Sequence, residues 1–585
     1  MKKIVVSLVL LTVLLSCNKK AETVTPKDLN KAFEHYKKGF VNGLWDIYPD
    51  WAASQGFHKG DSILVVSDSV FKKKQLDFAH SQLDSLQRYP INNLSDSNII
   101  DFYIIQNQLK NVIFNIDKLK SNEWNPAEYN VSGAFAEILN GKYDSLEKRL
   151  HSFNAKMTTI PAYYEAAKKN LKNPTVEHTA LAIAQNLGGI AIFEQDLNAA
   201  LNKSKLKAVE KKEIKEKAKT AVTSILTYVD WLKTLENTTP RSFRLGKELY
   251  SAKFDLEIQS SYSADTIYAK AVAHKADLHQ KMFRLADTLW TKYMTNEPKP
   301  TDKLQLIKSV IDKISLQHTT PQKFQSEIEK QIPELAAYVK EKDLLYIDPS
   351  KPLVVRKEPA YMAGVAGASI SAPGPYDKNA NTYYNVGSLN GWTAERSESY
   401  LREYNDYVLQ ILNIHEAIPG HYTQLVYSNQ SPSIIKAILG NGAMIEGWAV
   451  YAERMMLESG YKNSPEMWLM YYKWNLRTTC NMILDYSVHS KNMNKEEAMS
   501  LLINEAFQQQ AEAEGKWTRV SVSQVQLCSY FSGYTEIYDF REMLKKEQGP
   551  AFNLKNFHEK FLSYGSAPVK YIKELMLKEG KNKKR

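Results

Sequence analysis

The stretch ILNIHEAIPGHYTQ, residues 411–424, decides how the rest of the chain is read. It places His415 and His421 six residues apart, with Pro419-Gly420 between them. On a straight helix that spacing turns the two side chains apart by roughly 240° and separates them by about 9 Å along the axis. Two imidazoles so placed cannot share an ion, whereas histidines four apart share a face and can. Pro419 changes the geometry, because its ring clashes with the carbonyl four residues back, that of His415, and it has no N–H to donate. Gly420 lets the backbone bend. The pair therefore predicts a local widening or break that returns His421 to the side of His415.

Glu416 follows His415 directly. Beside a metal site, such a carboxylate takes the proton of the attacking water and later delivers it to the leaving group. Twenty-five residues after His421 comes MIEGWAVYAERM, with Glu446 and Glu453 seven apart on one helical face. Carboxylates in so apolar a segment are costly unless paired or metal-bound. Glu446 is the expected third ligand of a single zinc ion, and Glu453 the expected partner orienting a ligand histidine.

Further along, WNLRTTCNMILDYSVHS sets Arg477, Asp485 and His489 at helical spacings. Arg477 and Asp485 are candidates for the layer supporting the site. His489 suits oxyanion stabilisation or a substrate terminus, and equally a core histidine paired with Asp485. In QVQLCSYFSGYTEIYDFR, residues 524–541, Gln526 is a candidate substrate contact and Tyr530 a phenol able to donate to a tetrahedral intermediate. FHEKF (557–561) repeats His-Glu without a second histidine and reads as structural. Just ahead of the central motif, residues 345–395 are rich in Gly, Pro and β-branched residues, so LVVR and TYYNV read as short strands. An edge strand there would line a substrate groove, with Tyr384 and Asn385 as contacts.

The outer parts of the chain are plainer. MKKIVVSLVLLTVLLSC has the basic start and short apolar run of a signal peptide. Ser16-Cys17 resembles a bacterial lipobox, in which the Cys17 thiol is lipid-modified and the protein is held on the cell envelope, facing the periplasm or the exterior. Residues 18–27 read as a tether, 28–240 as an N-terminal helical region, and 241–585 as the catalytic region. Helices are expected over 396–413, 421–429, 443–460, 465–489, 494–513 and 521–546. The net charge of +11 comes from lysines interleaved with glutamates at helical spacing. That is a solvated surface rather than a nucleic-acid-binding face. Cys480 and Cys528 either pair or lie buried as free thiols.

These segments together resemble the bacterial family catalogued as domain of unknown function 885, whose hallmark is H-E-A-x-P-G-H. The matching stretches are FRLGKELYSAKF (243–254), HEAIPGHY (415–422), EGWAVYAE (446–453), LDYSVHS (484–490), QLCSY (526–530) and FHEKFLSYGSAPV (557–569). Tyr422 stands where the family often has a second histidine, and Gln524 where it usually has proline. The resemblance implies a mainly α, multi-helix, zincin-like fold of the gluzincin type, with His415, His421 and Glu446 as zinc ligands and Glu416 as base. The expectation is hydrolysis of an amide bond in a peptide. The rivals are a non-enzymatic ligand-binding lipoprotein and a zinc hydrolase of a non-peptide amide or ester.

Overall fold

The first helix, Pro26–Ile47, forms because Phe33, Phe40, Val41 and Leu44 fall on one helical stripe, at seven- and three- to four-residue spacings, and all four are buried. Lys37 lies on the same stripe and meets buried Asp101 at 2.6 Å. The computed structural model describes residues 26–583 except 236, 238, 352, 359–367 and 378–380. The signal segment 1–17 with Cys17, and all but the end of the tether 18–27, lie outside the described residues. Among those described, no helix is long and apolar enough to cross a membrane.

The fold is mainly α, with one small sheet placed just before the central motif. Strands β1 (Leu353–Lys357), β2 (Ala368–Ser371) and β3 (Thr382–Val386) pack in the order β1-β3-β2. β3 runs parallel to β1, with Val355 opposite Tyr384, and antiparallel to β2, with Ile370 opposite Tyr384. The expected edge strand TYYNV is therefore the central strand.

Downstream, helices start where a side chain can take up a free backbone N–H. Asn405 caps Asp406–Glu416, Asn441 caps Gly442–Glu458, and Ser464 caps Pro465–Lys491 with proline at the first turn. Three expected spans are cut. The stretch 396–413 divides at the Asn405 cap into Ala394–Glu403 and Asp406–Glu416. The stretch 494–513 becomes Lys495–Ser500, a π-helical turn Leu501–Glu505, and the start of Gln510–Val522. Phe507, at φ +55°, breaks the run between the last two. Val525 has φ +70°, a region costly for a β-branched residue, and the last of the expected spans starts only after it, as Cys528–Gln548.

The hydrophobic interior does not divide at residue 240. One core runs through residues 33–124 and 243–575, and a second through 129–232 with Leu64. A cavity of about 460 Å³ lies near their junction, lined among others by Trp51, Gln108, Glu128, Lys253 and Gln524. Cys480 and Cys528 are free and fully buried, and burial pushes the Cys480 thiol up to about 12.

Candidate metal centre

The helix carrying His415 ends at Glu416, and a new helix, His421–Gln430, begins two residues after Pro419. The motif is a break rather than a widened turn, and the Ile418–Pro419 peptide is cis. Gly420 passes against the end of the first helix and donates its N–H to the Ile414 carbonyl at 2.9 Å. A Cβ at Gly420 would lie 1.9 Å from the His415 carbonyl oxygen, so only glycine fits. Trp448 holds the loop from the far side, its indole N–H donating to the Pro419 carbonyl at 2.9 Å. The result is a perpendicular pair of imidazoles with ring centroids 4.7 Å apart.

Glu446 completes the cluster. Its Oε2 lies 3.4 Å from His421 Nε2 and 3.7 Å from His415 Nε2. That oxygen makes no hydrogen bond among the described residues, and neither does His421 Nδ1. Ligands held at about 2.0–2.2 Å around a tetrahedral zinc stand about 3.3–3.6 Å from one another, close to the 3.4 and 3.7 Å from Glu446 to the two histidines. The three residues thus fit a metal: His415, His421 and Glu446 offer atoms all within 4.8 Å of one another. Glu416 stands outside that group.

Glu453 is fully buried and accepts from His415 Nδ1–H at 2.7 Å and from Trp474 Nε1–H at 3.0 Å. With its proton on Nδ1, His415 presents the lone pair of Nε2 towards Glu446. Burial alone would lower the His415 pKa, but the carboxylates of Glu446 and Glu453 outweigh it and raise it to about 10. Burial likewise opposes ionisation of Glu446, and the two imidazoles overcome it and hold that carboxyl well below the usual carboxylate range. Burial raises the Glu416 carboxyl, against the pull of His421 and His415. A cation bound here would displace the proton from His415 Nε2 and be balanced by the Glu446 carboxylate.

The EGWAVYAE segment is legible residue by residue. Glu446 faces the histidines, and Gly447 meets Gly533 of the Cys528–Gln548 helix. A Cβ on Gly533 would lie 1.7 Å from the Ala443 carbonyl oxygen, so the two helices touch backbone to backbone. Tyr451 donates to His558 Nε2 at 2.7 Å, and His558 Nδ1 donates to the Leu344 carbonyl at 2.8 Å. His558 of FHEKF is thus a buried structural bridge. The close helix contact also sets Tyr530 beside the cluster, its ring centroid 6.5 Å from that of His415. Burial and the nearby Glu446 raise the Tyr530 phenol. Gln526 adjoins it, and both touch Arg519: the guanidinium donates to Gln526 Oε1 at 2.6 Å and lies 3.4 Å from the Tyr530 hydroxyl.

Other expected site residues sit elsewhere. Tyr384 is fully buried on the central strand and donates to Asn413 Oδ1 at 2.8 Å. Asn385 is equally enclosed, accepting from Arg356 Nε at 2.7 Å and donating to Ser371 Oγ at 2.7 Å. The strand they occupy is paired on both edges, so no substrate strand can add to it, and Tyr384 lies close enough to Glu416 to feel its charge. His489 is buried among backbone carbonyls of Val520 and Ser523, each 3.0 Å from Nε2, and stacks on Tyr250. Asp485 accepts from the Tyr250 hydroxyl at 2.8 Å and from Val525 N–H at 3.0 Å. These two residues shape the turn leading into the Tyr530 helix and do not face the imidazoles. Arg477 pairs with Glu512 at 2.5 Å and lies over the Trp474 ring. Sequence reasoning missed Trp474, Trp448 and Arg519, whose partners are 21, 29 and 7–11 residues away. Gly447 and Gly533, glycines inside helical patterns, were the visible signals of the close helix contact.

Fold and site together define a mainly α-helical protein with a His-His-Glu cluster suited to a metal ion. The chain belongs to the bacterial family described as "Bacterial protein of unknown function (DUF885)", whose model matches residues 49–576. It is similar to the solved structure of a "putative lipoprotein of unknown function" from Shewanella oneidensis, at 51% identity and TM-score 0.86, over 93% of this chain and 99% of that one. The crystal structure of a "putative lipoprotein" from Colwellia psychrerythraea shares the fold at 17% identity and TM-score 0.75, over 94% of this chain and 98% of that one. No curated protein matches the chain.

Proposed function

We propose that this protein is a zinc-dependent metallohydrolase that cleaves amide bonds in peptides, held at the bacterial cell envelope by a lipid on Cys17. The observation that carries the reading is the convergence of His415, His421 and Glu446, with Glu453 orienting His415. A zinc ion held there would polarise the scissile carbonyl and acidify water. Glu416, next to the ligands but outside their cluster, takes the proton from the attacking water and passes it to the departing amine. Tyr530, whose ring lies 6.5 Å from that of His415, donates to the oxygen that gains charge.

Metal analysis of the purified protein, followed by digestion of a peptide library, tests this reading. The parent is expected to carry one zinc per chain and His421→Ala to lose it. Full zinc occupancy in His421→Ala would show that the cluster is not the metal site. The tether has its own test. The Ser16-Cys17 lipobox and the names of the solved relatives support lipidation. Cys17→Ser is accordingly expected to move the protein from the detergent phase to the aqueous phase on partitioning, and unchanged partitioning would refute the anchor.

A further inference from the structure

A second group of charges lies behind Glu453 and takes no part in the metal cluster. Trp474, which donates to Glu453, carries the Arg477 guanidinium 4.8 Å over its ring. Arg477 pairs with Glu512 on the Gln510–Val522 helix. On the same helix, four and seven residues further on, come Lys516 and Arg519, so all three side chains share one face. Neighbouring Lys473 has its own carboxylate, Glu403, at 2.7 Å. Among the described residues, Glu512 is the one carboxylate that pairs directly with this group, and Glu403, which pairs with Lys473, acts on Arg477 and Lys516 from further off.

Lys516 is the informative member. It is only 5% exposed, yet its nearest carboxylate oxygen, on Glu512, is 3.9 Å away, and among the described residues no acceptor comes within hydrogen-bond range of its Nζ. Its ammonium therefore has solvent rather than a protein acceptor as partner, at a point an incoming carboxylate can reach. Burial and the adjacent Arg477 charge push its pKa down to about 7. Arg519 is exposed and touches only the neutral groups of Gln526 and Tyr530. Arg477 and Glu512 are partly exposed, with side-chain accessibilities of 19% and 27%, so the group opens to solvent. It joins the metal cluster by two routes: His415–Glu453–Trp474–Arg477 on one side and His415–Tyr530–Arg519 on the other.

We infer that Lys516, Arg477 and Arg519 form a subsite for a carboxylate of the substrate, placed beside the scissile position. The inference rests on the metallohydrolase reading and narrows its substrate class to peptides with an anionic group near the cleaved bond. The carboxylate is either the peptide's own C-terminus or an acidic side chain. Either would supply the acceptor that Lys516 lacks and would bring a second negative charge to three cations.

The test measures binding, so that it stands whether or not turnover is found. Zinc-loaded Glu416→Gln protein is titrated calorimetrically with three N-acetylated tripeptides: a free acid, its carboxamide, and a carboxamide with a glutamate side chain. One of the two carboxylate-bearing peptides, the free acid or the glutamate carboxamide, is expected to bind at least about tenfold tighter than the plain carboxamide, the scale of a charge-assisted contact. Adding Lys516→Met, or separately the exposed Arg519→Gln, is expected to shrink that preference to about twofold or less. Tight binding of the glutamate carboxamide assigns the seat to an acidic side chain, and weak binding assigns it to the C-terminus. Affinity no higher for either the free acid or the glutamate carboxamide than for the plain carboxamide, no binding of any peptide, or a preference that survives both substitutions would overturn the subsite. Failure of the parent to hydrolyse peptides, with the acid preference intact, would instead remove the hydrolase reading and leave the subsite standing.

Discussion

Glu416→Gln is expected to lower peptide turnover by roughly 10²–10⁴-fold at unchanged zinc content, the range for loss of a general base. The expectation follows from position. Glu416 ends the His415 helix and adjoins the ligands, but it stands outside the group of atoms able to share an ion. Glutamine has nearly the same shape and still accepts a hydrogen bond, so the fold and the metal ligands stay in place. It cannot accept the proton of the attacking water. The loss is expected to exceed the lower bound, because the same carboxylate also delivers a proton to the leaving amine. Turnover by parent and variant is compared at matched zinc. Parent-like turnover in the variant would sink the mechanism even with zinc present. No turnover by either form, with peptide affinity retained, would point to a binding lipoprotein.

How far the site was legible depends on how local its determinants are. The clash between Pro419 and the His415 carbonyl, and the freedom of Gly420, act within a few residues, so the return of His421 could be foreseen from spacing. Its form could not: the chain breaks into two helices because Gly420 must pass within 1.9 Å, at its missing Cβ, of the His415 carbonyl. Glu446 and Glu453 were legible because a seven-residue interval fixes a common helical face. Trp474 and Lys516 were not, since their meaning lies in contacts with other helices and no period along the chain encodes those. Tyr384 and Asn385 misled for the same reason. A five-residue strand reads alike whether it is central or at an edge, and strand order depends on pairing between residues as far apart in sequence as Leu353 and Thr382. His489 and Asp485 sat at a spacing that suits either chemistry or a core, and only the carbonyls of Val520 and Ser523 decide between them.

Asp101→Ala is expected to destabilise the protein by about 3–5 kcal/mol, the range for removing one partner of a buried ion cluster. Asp101 is wholly buried and receives Lys37 Nζ at 2.6 Å, Lys436 Nζ at 2.7 Å and Ser433 Oγ at 2.8 Å. Lys37 and Lys436 are themselves 4% and 2% exposed, so the alanine variant would leave two ammonium groups facing each other without the carboxylate between them. Burial already lowers the Lys436 pKa even with Asp101 beside it. The backbone and hydroxyl of Ser97, each 3.0 Å from Lys436 Nζ, can satisfy its hydrogen bonds but not its charge. The consequence reaches the metal centre through the chain. Ser433 caps the short helix Ile434–Ile438, which lies between the His421 helix and the Glu446 helix. Asp101 thus pins to the N-terminal helices the segment that joins two of the three ligands. Denaturant unfolding of Asp101→Ala is expected to show the loss of stability, and competition with a zinc chelator a weakened metal affinity. Pairing the substitution with Lys436→Met removes one of the stranded charges and is expected to restore part of both. A loss under about 1 kcal/mol would mean that water reaches the lysines, because solvated ion pairs are worth no more than that.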